Sequence, residues 1–250
     1  MNYKPFPDAF WAETQKTLSL LKKEVAVPLV AAFDADGTLW DSDLGENFFQ
    51  YQIDHGCVDL PAHAWNHYLE LKKKNNDPRE AYLWLAQINQ GQTLKQVREW
   101  SQAAFDEIQP VPLFSEQKKL IDLFLQHHVQ IYIVTASVTW AVETGARALG
   151  LAPENVIGVE TLVQNNVISS EACLPITYRQ GKADALLQKT KGIRPFFASG
   201  NTLGDAELMQ VATHLRLAVS AASRDDKLFH SENELMKLAE KNKWFSHRFL

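Results

Sequence analysis

Leu29-Val30-Ala31-Ala32-Phe33-Asp34-Ala35-Asp36-Gly37-Thr38-Leu39 joins an unbroken apolar run to two acids and a glycine turn. An apolar run without alternation is the signature of a strand covered on both faces, as in a parallel sheet. Two carboxylates two residues apart at the end of such a strand are costly to bury unpaired. A divalent cation relieves that cost, and hard oxygen ligands without sulfur or histidine company suit Mg²⁺. An isolated Asp-Gly-Thr is commonly only a solvated turn capping the next element. A solvated turn does not account for a pair of acids leaving a buried strand.

Three further short runs behave alike, Val129 to Val134, Pro195 to Ala198 and Leu215 to Val219, and Asn155 to Val159 is a weaker fourth. Helical material separates them. That alternation predicts an α/β fold whose parallel sheet collects ligands at the carboxyl ends of its strands. Asp8 precedes a leading helix with Phe10, Thr14, Leu18 and Leu21 on one face. Between Ser42 and Phe114 no strand-like run occurs, and apolar residues recur at helical spacing, so residues 42–114 read as an all-helical insert into a core made of 1–41 and 115–250. Its helices are expected to start near Gly45, Pro61, Asp77 and Thr93, with Asp77-Pro78 as cap and first helical residue, and Thr93 with Gln96 at capping-box spacing. Pro110-Val111-Pro112 ends the insert, and Ser115 is expected to cap the next helix. A last helix is expected from Ser231, with Glu234 completing its capping box and Trp244, Phe245 and Phe249 docking the tail.

Composition narrows the function classes. The chain has 250 residues, 46% hydrophobic and 22% charged, enough for one large domain or a domain plus insert. A net charge of -5 without basic blocks gives no footprint for nucleic acid. No apolar stretch approaches the ~20 residues of a membrane helix and no leader pattern opens the sequence, so a cytoplasmic protein with no membrane partner is expected. Cys57 and Cys173 stand far apart, which supports neither a disulfide framework nor a thiolate zinc cluster.

The stretch from Phe33 to Leu39 resembles the first motif of the haloacid dehalogenase superfamily, a strand followed by Asp-x-Asp-x-Thr. The later motifs follow in family order. Ile131-Tyr132-Ile133-Val134-Thr135 matches the second, Gly181-Lys182 the third, and Gly200-Asn201-Thr202-Leu203-Gly204-Asp205 the fourth, except that Asn201 replaces the usual acid. The resemblance implies a Rossmann-like core with Asp34 as nucleophile and Asp36 as general acid and base. Lys182 would offset phosphate charge, and Thr135 would hold a phosphoryl oxygen with help from Ser137. Gly37 and Thr38 are expected beside the substrate, and Asp34, Asp36, Asn201 and Asp205 around Mg²⁺. Three outcomes stay open at Asn201: a weakened metal site, direct ligation by Asp205, or lost catalysis. The insert lies where phosphoserine phosphatase-like members carry a helical cap, and Glu46 stands where those relatives meet a substrate amino group.

The expected activity is Mg²⁺-dependent hydrolysis of a small phosphomonoester through an aspartyl phosphate, by a monomer or homodimer. A phosphotransferase or phosphomutase shares that core, and a noncatalytic binding protein is the rival from another class. Trp65, Trp84, Trp100, Tyr68 and Tyr82 in the insert fit either a cage for an amine or quaternary ammonium head group or the core of a helical bundle.

Overall fold

Val30–Phe33 (β1) is buried at all four positions. Ala31 and Phe33 face one apolar cluster with Phe10, Phe124 and Phe197, whereas Val30 and Ala32 face another with Leu186, Met209 and Leu235. Side chains alternate along a strand, so two covered faces leave no polar residue in the run. The computed structural model describes residues 3–24, 28–226 and 228–250. The other strands are Gln130–Val138 (β2), Val156–Val159 (β3), Thr161–Gln164 (β4), Val167–Ala172 (β5), Phe197–Gly200 (β6), Leu215–Ser220 (β7) and Phe245–Arg248 (β8). All but β4 and β5 form one parallel sheet in the order β3-β2-β1-β6-β7-β8. The strand order reverses at β1, which is where open α/β sheets bind ligands.

The helices are Asp8–Glu24 (α1), Leu44–His55 (α2), Ala64–Lys73 (α3), Arg79–Gln87 (α4), Leu94–Glu107 (α5), Ser115–Gln126 (α6), Thr139–Ala148 (α7), Gln180–Lys189 (α8), Ala206–Val211 (α9) and Phe229–Lys241 (α10). The core is thus a Rossmann-like sheet flanked by helices, and α2 to α5 are additional helical cap elements between β1 and α6. Phe49 holds the cap together, stacked on Trp65 at 5.4 Å and edge-on to Tyr68 and Trp84. The same apolar cluster includes Val138, Trp140 and Ala141 of the core. Arg98 of α5 adds a two-pronged bond to buried Glu143 of α7, both contacts at 2.7 Å. Among the described residues no helix is long and apolar enough to cross a membrane.

Several helix starts differ from expectation. Ser115 is the first helical residue and makes no cap bond, because Phe114 precedes it with its ring stacked on Phe249 at 4.0 Å. Ser231 lies inside α10, and Glu234 pairs with Lys237 rather than closing a box. The helix expected at Pro61 begins at Ala64, after His63 in the left-handed region. Pro78 precedes α4, while Asp77 accepts the Arg79 N–H in a local turn. Thr93 does cap α5 through the Gln96 N–H. Strand β2 runs on to Val138, past the expected end at Val134, because a register shift lets Val138 pair with Val159. The hairpin β4–β5 and the edge strand β8 were not expected.

Candidate active site

Asp34 follows β1 directly, and its N–H donates to the Ser199 carbonyl at 2.9 Å, which extends the pairing with β6. Its carboxylate is held at both oxygens. Lys182 Nζ donates to Oδ1 at 2.6 Å and the Thr38 hydroxyl donates to Oδ2 at 2.8 Å. The same Nζ donates to Asp205 Oδ1 at 2.6 Å, so one ammonium bridges two acids from distant motifs. Burial, then repulsion from Asp205, raises the Asp34 pKa from its ordinary 3.8 to about 7 despite the attraction of Lys182. Burial alone would discharge Lys182, but Asp205 and Asp34 outweigh it and hold the ammonium above its usual range. Gly181 allows this approach, since a Cβ there would lie 1.9 Å from the Ile176 carbonyl oxygen.

Asp36 receives three donors: the Trp40 indole N–H at 2.8 Å and the Leu44 N–H at 2.9 Å on Oδ1, and the Ser137 hydroxyl at 2.7 Å on Oδ2. Burial nonetheless raises its pKa, with those bonds and Lys182 opposing. A carboxyl with raised proton affinity and fixed orientation is suited to acid and base duty. Ser137, expected beside substrate, lines the same cavity but spends its hydroxyl on Asp36. Thr135 also lines the cavity, and its Oγ1 accepts the Ser137 N–H at 3.0 Å. Thr38, expected beside the substrate, is fully buried, is not among the residues lining the cavity, and donates its hydroxyl to Asp34. Gly37 does line the cavity, with φ of 73°. A Cβ there would fall 2.1 Å from Asn201 Nδ2.

Asp205 Oδ2 accepts the N–H groups of Asn201 at 3.1 Å and Thr202 at 3.0 Å, which folds the fourth motif into a tight loop. Asn201 Nδ2 donates to Glu232 Oε1 at 3.1 Å, and its amide oxygen accepts no bond among the described residues. Glu232 is itself fixed by the Ser220 hydroxyl and the N–H groups of Ala221 and Ala222. Among the described residues no three His, Cys, Asp or Glu side chains stand together as a metal cluster. The residues lining the cavity that could offer oxygen to a cation are Asp34 and Asp205 through their carboxylates, Asn201 through its amide oxygen and Asp36 through its carbonyl. Those are hard oxygens, and the acids at 34 and 205 share one ammonium in a buried site, so the residues fit Mg²⁺.

These groups line one cavity of about 390 Å³, whose far side belongs to the cap. Asp43, Glu46, Tyr68, Lys72 and Tyr82 contribute there. Trp65, Trp84 and Trp100 pack against the apolar cluster of the cap and do not line the cavity, whereas Tyr68 and Tyr82 join that cluster and also line the cavity. Asp43 caps α2 through the Glu46 N–H at 2.7 Å, and burial followed by the charges of Asp36 and Glu46 raises its pKa well above the ordinary value. Trp40, Lys72 and Glu232 were missed in the sequence. Trp40 stands one turn from Asp36 and is legible only as an apolar residue until its indole N–H finds a partner. Glu232 lies 31 residues beyond Asn201, and no spacing rule joins them.

Residues 31–210 match the haloacid dehalogenase-like hydrolase family. The phosphorylcholine phosphatase of Pseudomonas aeruginosa is 22% identical over 206 residues, which cover 66% of this chain and 58% of that protein. The chain thus spans less than two thirds of that relative's length. A protein of unknown function from Bordetella pertussis Tohama I superposes with a TM-score of 0.73 at 16% identity, covering 90% of this chain and 100% of the other. A phosphoserine phosphatase, solved as an analogue of its phospho-aspartyl intermediate, gives a TM-score of 0.54 at 13% identity over 89% of this chain and 94% of the other. With the family match covering most of the sequence and the sheet carrying its motifs to one cavity, the chain belongs to the haloacid dehalogenase-like hydrolases, with a phosphoserine phosphatase-like fold and an extra helical cap region.

Proposed function

We propose that this chain is a Mg²⁺-dependent phosphatase for a small phosphomonoester of an amino or quaternary-ammonium alcohol. One observation carries the reading: Asp34, Lys182 and Asp205 meet through 2.6 Å contacts in a cavity that also contains Asp36 and Thr135. Asp34 attacks phosphorus, its new bond forming as the ester P–O bond breaks, and the departing alkoxide takes the proton carried by Asp36. Water then attacks the aspartyl phosphate, gives its proton to Asp36 and releases inorganic phosphate, which restores both acids. Lys182 lowers the repulsion between the phosphate and Asp34, and Thr135 holds a phosphoryl oxygen. Asp34, Asp205, Asn201 and the Asp36 carbonyl would hold Mg²⁺, which when bound neutralises charge on the phosphoryl oxygens.

Residues 42–114 act as the cap, over a core of 1–41 and 115–250, and choose the leaving group. Glu46, Asp43 and the two tyrosines give the far side of the cavity an acidic, aromatic character that favours a cation. The likeness to a phosphorylcholine phosphatase supports the same class. Purified chain with Mg²⁺ is expected to release phosphate from phosphocholine, phosphoethanolamine or phosphoserine faster than from sugar phosphates, and Asp34→Asn to release none. Faster turnover of sugar phosphates overturns the substrate class. Phosphate delivered to an acceptor alcohol rather than to water reassigns the reaction to phosphotransfer.

A further inference from the structure

The cap end of the cavity contains a cation already. Lys72 Nζ lies 2.7 Å from Glu46 Oε1, 5.0 Å from the Tyr68 ring centroid and 5.9 Å from that of Tyr82. Those ring distances fall within the ~6 Å reach of a cation–π contact. The Tyr68 hydroxyl donates to the same Glu46 oxygen at 3.3 Å, so carboxylate and ring are fixed to each other. The three walls come from three helices: Glu46 from α2, Tyr68 from α3 and Tyr82 from α4. Burial first, and nearby negative charge after it, raises the pKa of both phenols, which keeps the rings neutral.

We propose that Lys72 is a tethered occupant of the head-group end of this cavity, a specificity-determining residue whose ammonium a cationic leaving group must displace. The inference deepens the amino-alcohol reading above and rests on it for the identity of the displacing group. Lys72 leaves α3 in its last turn, one turn beyond Tyr68, and its side chain is 32% exposed against 15% for Glu46. A lysine stem is flexible and its ammonium strongly hydrated, so the head has a route to solvent while the acid and the rings stay. Displacement exchanges one ammonium for another over the same carboxylate and rings. A cationic ester therefore gains only the difference between its own contacts and those Lys72 gives up. A neutral leaving group of the same shape does not compete for Glu46, so it packs on the rings with the Lys72–Glu46 pair still made and no charge is exchanged. The tether thus narrows the preference for cations that the acidic, aromatic wall would otherwise set.

The test compares phosphocholine with its neutral isostere 3,3-dimethylbutyl phosphate in the wild type, Lys72→Met and Lys72→Arg. Methionine keeps most of the stem and removes the charge, and arginine restores a cation. The ratio of KM for phosphocholine to KM for the isostere is expected to fall at least fivefold in Lys72→Met and to return toward the wild-type ratio in Lys72→Arg. A second arm needs no turnover: tetramethylammonium binding is measured calorimetrically on Asp34→Asn with and without Lys72→Met. Binding at least fivefold tighter in the double variant supports the tethered occupant, even where no ammonium ester is hydrolysed and the substrate reading fails. An unchanged or raised KM ratio, or no gain in tetramethylammonium affinity, overturns it. A KM for phosphoserine that rises in Lys72→Met while the phosphocholine ratio stays fixed also overturns it, because Lys72 then holds a substrate carboxylate.

Discussion

Asp34 answers to three pulls at once: burial and Asp205 favour its proton, and Lys182 favours its charge. The balance leaves its pKa at about 7, above the ordinary 3.8, with a defined effect on stability. Between those values the folded chain holds a proton that the unfolded chain has released, so stability contributed by this group falls as pH rises and levels off above about 7. Asparagine does not titrate. In chelator, the Tm advantage of Asp34→Asn over wild type is therefore expected to be larger at about pH 8 than at about pH 5. Equal differences at both pH values would show that Asp34 is not held protonated. Asn201 yields a second prediction, because its amide nitrogen serves Glu232. Asn201→Asp places a carboxylate where Glu232 Oε1 now accepts a bond at 3.1 Å, and loss of that buried bond is expected to cost about 1–3 kcal/mol without metal. Mg²⁺ or the further change Glu232→Gln should recover the loss, and calorimetry should show tighter Mg²⁺ binding. Unchanged Mg²⁺ affinity removes Asn201 from the ligand set. The acids at 34 and 36 were legible because two carboxylates leaving a buried strand demand a counter-charge, and Asp205 was legible only through the resemblance of its stretch to the family's fourth motif. Glu232 was not, since only the fold brings it to Asn201.

Among the elements, helix α7 does more than cover the sheet. A Cβ on Gly145 would stand 2.5 Å from Trp40 Cη2 and 2.8 Å from Leu44 Cδ1, the two residues that donate to Asp36 Oδ1. Gly145→Ala is expected to cost about 1–3 kcal/mol by overpacking and to lower kcat more than it changes KM, because it shifts the donors of the acid. A stability loss with kcat intact would limit Gly145 to packing. The buried strands were legible from unbroken apolar runs, and the Thr93 cap from its hydroxyl. Other helix starts were not, because burial of Phe114 against Phe249 overrode the capping preference of Ser115. The hairpin carries its own signal in the Asn165-Asn166 pair. Asn165 and Asn166 both adopt positive φ, at 51° and 64°, as a two-residue hairpin turn requires. That hairpin pairs with the cap, since Leu94 N–H donates to the Asn166 carbonyl and Ile168 N–H to that of Gln92.

At the scale of the whole molecule, the cap is joined to the core through a shared apolar cluster, the Arg98–Glu143 pair and the hairpin. None of those joints is legible in sequence, because each depends on pairing between segments about 45 to 80 residues apart. The alternation of strand and helix was legible, and so was the run of cap helices after β1, because hydrophobic periodicity changes there without regard to partners. Strand β8, an edge strand with Phe245-Ser246-His247-Arg248, lacks an apolar run and takes its place by pairing with β7 and by packing Phe245 against Phe10. The Leu44 N–H both belongs to the first residue of the cap helix α2 and supports the acid Asp36. Grafting a foreign cap onto this core would therefore remove a donor from Asp36. On the proposed mechanism, substrate range and proton delivery are heritable as one module, and an exchange that preserves turnover must carry a matching amide across the splice.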